Sequence, residues 1–133
     1  MKGIYILFFN IDKNLQLKIG SLGKTKFDKG NYAYIGSAQN SLEKRIGRHI
    51  IKSKKKFWHI DYLLDNKFVR ITKIFYKKSG KLEECRIAKK LSKTGSLIPG
   101  FGCSDCNCKS RLFRIKKPNV ISNLQMKQLM LVR

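Results

Sequence analysis

Residues 3–9, Gly-Ile-Tyr-Ile-Leu-Phe-Phe, are an almost unbroken apolar run and predict a buried strand. The turn-rich cluster Asn10-Ile11-Asp12-Lys13-Asn14 follows, then Leu15-Gln16-Leu17-Lys18-Ile19 alternates with period two like a half-buried strand, so the pair predicts a hairpin. Gly20, Gly23 and Gly30 punctuate a basic loop before a third strand over Tyr32–Ser37. Asn40, with Glu43 three residues on, forms an arrangement close to a capping box and predicts a helix from about Ser41, with Leu42, Ile46 and Ile50 as its buried stripe. The apolar segment Phe57–Leu64 fits neither period. Phe68–Tyr76, rich in β-branched and aromatic residues, predicts a strand. Ser79-Gly80 opens a second helix to about Lys93, closed off by Gly95 and Pro99, and Arg111–Ile115 alternates and returns to the sheet. There is no internal repeat. The pattern predicts an α+β fold, a small mainly antiparallel sheet flanked by helices, over residues 1–115, with a basic and apolar extension at 116–133 packing on the same domain.

Charge turns this outline towards a polyanionic partner. Among 133 residues, 30 Lys and Arg stand against 8 acidic side chains, a formal net charge of +22. Such an excess repels itself, so it is expected to serve salt-dependent attraction to nucleic acid, DNA before RNA. An anionic membrane would attract it too, but the basic residues do not gather on one long amphipathic helix, and no apolar run approaches the roughly 18 residues of a membrane span. The amino terminus runs directly into the first strand without a cleavage site, which predicts a cytoplasmic protein, nucleoid-associated if the source is prokaryotic. The four cysteines then read as reduced thiols or metal ligands before disulfides.

Two tripeptides change the picture again. Gly3-Ile4-Tyr5 and Tyr34-Ile35-Gly36, in that order, precede a helix with Arg45 and His49 and a later acidic helix. Together they resemble the GIY-YIG nuclease superfamily. Trp58-His59-Ile60-Asp61-Tyr62 and residues 101–108 are similar to a less-studied branch of it, sometimes joined to endonuclease III-type DNA glycosylases. The resemblance covers residues 3 to 115. It implies a metal-dependent DNA endonuclease, a phosphodiester hydrolase in DNA repair or in processing of structured DNA. Its catalytic set is implied as Tyr5, Tyr34, Arg45, His49 and a metal-binding Glu84, with either tyrosine open as the base that takes or orients the nucleophile's proton. The longer stretch between Tyr5 and Tyr34, and Gly-Phe-Gly-Cys after Pro99 where an asparagine is common, depart from the usual pattern.

Spacing supports part of this independently. Arg45 and His49 lie four residues apart on the edge of the predicted helix stripe, and a guanidinium there suits two phosphate oxygens at once. Arg48 falls farther round, towards solvent, and is expected to contact DNA backbone together with Lys52, Lys54, Lys55 and Lys56. Glu84 shares its stripe with Ile87, Ala88 and Leu91, whereas Glu83 shares a basic face with Arg86 and Lys90. A buried carboxylate is costly unless paired or bound to a cation, and with one carboxylate plus waters that ion would be Mg²⁺ or Mn²⁺. Cys103-x-x-Cys106-x-Cys108 with Cys85 is a candidate structural zinc set, against buried thiols or a redox pair. The competing reading of the whole chain is a non-catalytic nucleic-acid binding module, for DNA or RNA, on the same fold.

Overall fold

A computed structural model describes residues 2–38, 40–51, 55–56, 58–93, 95–102, 110–116 and 126–129. Its elements are β1 (Gly3–Ile11), β2 (Leu15–Ile19), a single 3-10 turn (Gly20–Leu22), β3 (Gly23–Phe27), β4 (Gly30–Ala38), α1 (Leu42–Ile50), α2 (His59–Leu64), β5 (Val69–Lys77), α3 (Lys81–Ser92), β6 (Gly95–Leu97), β7 (Leu112–Ile115) and β8 (Lys127–Leu129). Six strands form one sheet in the order β6-β7-β4-β1-β5-β8, antiparallel at every join, and β2 pairs with β3 in a separate ribbon. The fold is α+β, as the pattern predicts.

The apolar run of β1 is explained by its place at the centre, paired along its length with β4 on one side and β5 on the other. Successive side chains point to opposite faces. Tyr5, Leu7, Phe9 and Ile11 join Leu42 and Ile46 of α1, Ile60 and Leu63 of α2, and Ile19 and Phe27 of the ribbon. Ile4, Ile6 and Phe8 meet Ile87, Ala88 and Leu91 of α3 in a second core. Both faces are covered, so alternation has no reason to appear in β1.

Three expectations are corrected. Residues 3–19 are not a hairpin: both edges of β1 are occupied by β4 and β5, so β2 turns to β3, with Leu15 opposite Phe27 and Ile19 opposite Gly23. The basic loop is thus half strand, its Lys24 and Lys26 exposed on a ribbon lying over the sheet. The cap of α1 is Ser41, one residue later than Asn40, because its Oγ accepts the Lys44 N–H at 3.2 Å. The stripe of α1 runs Leu42, Ile46, His49, and Ile50 is 47% exposed. The helix ends at Ile50 and Ile51 is extended, so the final turn presents His49 to the sheet.

The unassigned segment after Lys56 contains α2, whose Asp61 carboxylate accepts the Trp58 N–H at 3.0 Å and so caps its first turn. Strands β6 and β8, three residues each, are too short for a periodic signal. β8, from the C-terminal extension, pairs with β5, and Met126 packs against the α3 core. No described helix is long and apolar enough to cross a membrane.

Candidate active site

Strand register brings the two tripeptides together. Tyr5 lies opposite Gly36 and Leu7 opposite Tyr34, so Tyr5 and Tyr34 are diagonal neighbours on one face. The Tyr5 ring folds over β4, where a Cβ at position 36 would sit 2.5 Å from its Oη. Gly36 is therefore a steric requirement of Tyr5. Gly3 has a similar reason, since a Cβ there would stand 2.7 Å from the Lys77 carbonyl oxygen.

Helix α1 lays its last two turns across these phenols. His49 is only 2% exposed, and its Nε2 lies 2.7 Å from Tyr5 Oη. Its ring centroid is 5.3 Å from that of Tyr5 and 6.3 Å from that of Tyr34. Arg45 Nη1 donates to the Ser37 carbonyl at 2.9 Å, just past the second tripeptide. Burial pushes the Tyr5 phenol well above its ordinary value, although Arg45 beside it pulls the other way. Tyr34 is raised too, first by burial, then by Tyr5 and Glu84, against Arg111 and Arg45. Both phenols are neutral at neutral pH.

Arg48 departs from expectation. It does not reach for solvent but grips Asp61 with both arms, Nη1 to Oδ1 at 2.7 Å and Nη2 to Oδ2 at 2.9 Å, and also donates to the Lys55 carbonyl at 2.8 Å. Asp61 is fully buried and requires a charged partner. Trp58 stands beside this pair, with the Arg45 guanidinium carbon 4.2 Å and that of Arg48 4.4 Å from its ring centroid. Lys55 and Lys56 are exposed, Lys56 Nζ being 3.4 Å from Asp65 Oδ2. Lys52 and Lys54 lie outside the described residues.

Glu84 is buried with Ile87, Ala88 and Leu91, as its spacing predicts, and Glu83 pairs instead with Lys77 and Arg86. Those two cations, Arg86 foremost, hold the Glu83 carboxyl below its usual range. The cation facing Glu84 is Arg111, whose Nη2 is 2.7 Å from Oε1 while the arginine is 2% exposed. Arg111 is fixed at the entry to β7: its N–H donates to the Phe101 carbonyl, and its carbonyl accepts the Ile35 N–H. That ties the Glu84 pair to the strand carrying Tyr34. Neither Arg111 nor Asp61 is legible as an ion-pair partner in the sequence, because neither has an opposite charge three or four positions away.

No group of three or more His, Cys, Asp or Glu is placed to hold a metal among the described residues. Glu84 Oε1 faces Arg111 at 2.7 Å. One carboxylate completed by waters is a donor set that suits Mg²⁺ or Mn²⁺, so the residues fit such an ion. Of the candidate zinc ligands, Cys85 is a free thiol 3.4 Å from Arg111 Nη2, and Cys103, Cys106 and Cys108 lie outside the described residues.

Among known families, the one described as Domain of unknown function DUF123 matches residues 4–131. No curated protein and no solved structure matches the chain.

Proposed function

The chain belongs to the DUF123 family, whose description names no activity, and from the chemistry of the site we propose that it is a divalent-metal-dependent endonuclease. It hydrolyses phosphodiester bonds of nucleic acid, DNA before RNA, in repair or in processing of structured DNA, as the GIY-YIG resemblance implies. The observation that carries this reading is the buried 2.7 Å bond from Tyr5 Oη to His49 Nε2, set beside Arg45.

A phenol with a raised pKa is a poor standing phenolate, so neither tyrosine is the base by itself. Tyr5 acts as a relay. It accepts the proton of the attacking water while passing its own to His49 Nε2, and the imidazole takes the charge. Tyr34, the diagonal neighbour, orients the water. Arg45, tethered to the Ser37 carbonyl, presents its remaining N–H groups to two non-bridging phosphate oxygens. The Glu84 carboxylate would hold Mg²⁺ or Mn²⁺, which when bound would neutralise the phosphate and stabilise the departing oxygen.

A second reading, a non-catalytic nucleic-acid binding module, draws on the Glu84–Arg111 pair, which gives the carboxylate a partner without any metal. Incubating the protein with labelled DNA and RNA of varied form, with Mg²⁺, Mn²⁺ or EDTA, separates the two. Cleavage is expected with either metal and not with EDTA. Binding of every form without a product under any condition would hand the protein to the second reading.

A further inference from the structure

Trp58, the chain's one tryptophan, has no part in the proton relay, yet it stands at the edge of the site. Its ring centroid is 6.2 Å from that of His49, and it remains 37% exposed. Large apolar side chains are costly to leave in water, and Ile50 and Ile51, next along from His49, are exposed as well. The Trp58 backbone is held by Asp61, the same buried carboxylate that fixes Arg48. The indole is thus anchored, with the guanidiniums of Arg45 and Arg48 against it.

A nucleotide offers two chemistries side by side, an anionic phosphate and a flat π face. The surface around Trp58 offers their complements: the Arg45 charge, exposed Lys55 and Lys56, and an indole that is 37% exposed. A protein that held only phosphate would have no use for the exposed indole. We propose that Trp58 is a stacking platform for an unpaired nucleobase beside the phosphate held by Arg45. Within an intact duplex both faces of each base are taken by its neighbours, so the substrate class is single-stranded or locally unpaired nucleic acid. This rests on the nucleic-acid half of the function proposed above and needs no cleavage.

Because Trp58 is unique, its fluorescence reports on this site alone. The full chain is titrated, without metal, with three ligands of matched charge: an oligothymidylate, the same phosphodiester chain built of abasic units, and a blunt duplex. Binding is followed in parallel by anisotropy of a labelled strand. The oligothymidylate should quench Trp58 strongly, and the abasic chain and the duplex should bind with little quenching. Trp58→Ala should weaken oligothymidylate binding about 5- to 100-fold and leave the abasic chain unaffected. Trp58→Phe, which keeps a ring, should recover most of the loss, and guards against a folding defect in the alanine variant. Equal quenching by all three ligands, or an equal affinity loss for thymidylate and abasic chains, would mean that Trp58 only covers the two arginines, and would overturn the proposal. Failure of all three to bind would overturn it together with the nucleic-acid reading beneath it.

Discussion

At the scale of single residues, Arg45 and Arg48 are one turn apart on α1, and both touch Trp58, yet their tasks differ. In the reaction proposed above, Arg45→Ala removes the charge that holds the phosphate, so cleavage should fall by about 10²- to 10³-fold while affinity stays nearly constant. Arg48→Ala instead strands the buried Asp61 carboxylate, and should cost about 3 kcal/mol in thermal or urea unfolding. A dead but fully stable Arg48→Ala would reverse the assignment. The tyrosines give a pH signature. Burial raises the phenols of Tyr5, Tyr32 and Tyr34 above their ordinary 10.0, Tyr32 to about 12. A raised folded-state pKa contributes stability that is complete below the unfolded value and is lost as pH climbs through the folded one. The melting temperature should therefore hold to about pH 9.5 and then fall steeply, and Tyr5→Phe should soften that fall. A slope already present between pH 7 and 9, tracking phenolate absorbance, would contradict this. Tyr5, Tyr34, His49 and Glu84 are legible in the sequence because the tripeptides and helical spacing mark them. Arg48's partner is not, since a carboxylate thirteen positions away on another helix leaves no local trace.

At the scale of elements, α3 covers one face of the sheet while α1 and α2 cover the other, and the Glu84–Arg111 pair ties α3 to the entry of β7. Glu84→Gln leaves Arg111 buried without its counter-charge and should destabilise by about 3 kcal/mol. Adding Arg111→Met should restore most of that loss, since an ion pair replaced as a unit by apolar volume is often neutral. Cleavage separates structure from chemistry: the stable double variant should be inactive and Glu83→Gln should cut normally. A double variant that still cuts with metal would leave Glu84 a purely structural carboxylate. Most elements are legible from periodicity. A β1–β2 hairpin is the wrong expectation because adjacency in sequence argues for pairing, and only the claims of β4 and β5 on β1 forbid it. A three-residue strand such as β6 has no period to read.

At the scale of the whole molecule, the +22 charge dominates whatever acts beyond contact distance. Neutralising Lys54, Lys55 and Lys56 together should weaken binding to all sequences alike. It should lower the slope of log affinity against log salt by roughly 2, short of 3 because Lys56 is partly committed to Asp65. An unchanged slope would take this cluster out of the interface. The position of β1 has another consequence, in the order in which the molecule comes apart. Tyr5 is rooted in a strand paired on both sides, whereas Arg45 and His49 ride on a nine-residue helix laid over it. Partial opening begins where few bonds must break, so amide protons of α1 should exchange well before those of residues 4–9, which wait for global unfolding. On mild heating the proposed relay would lose its imidazole while its phenol stayed in place, and cooling would bring α1 back onto an undamaged strand. Warm inactivation below the unfolding midpoint should therefore be fully reversible.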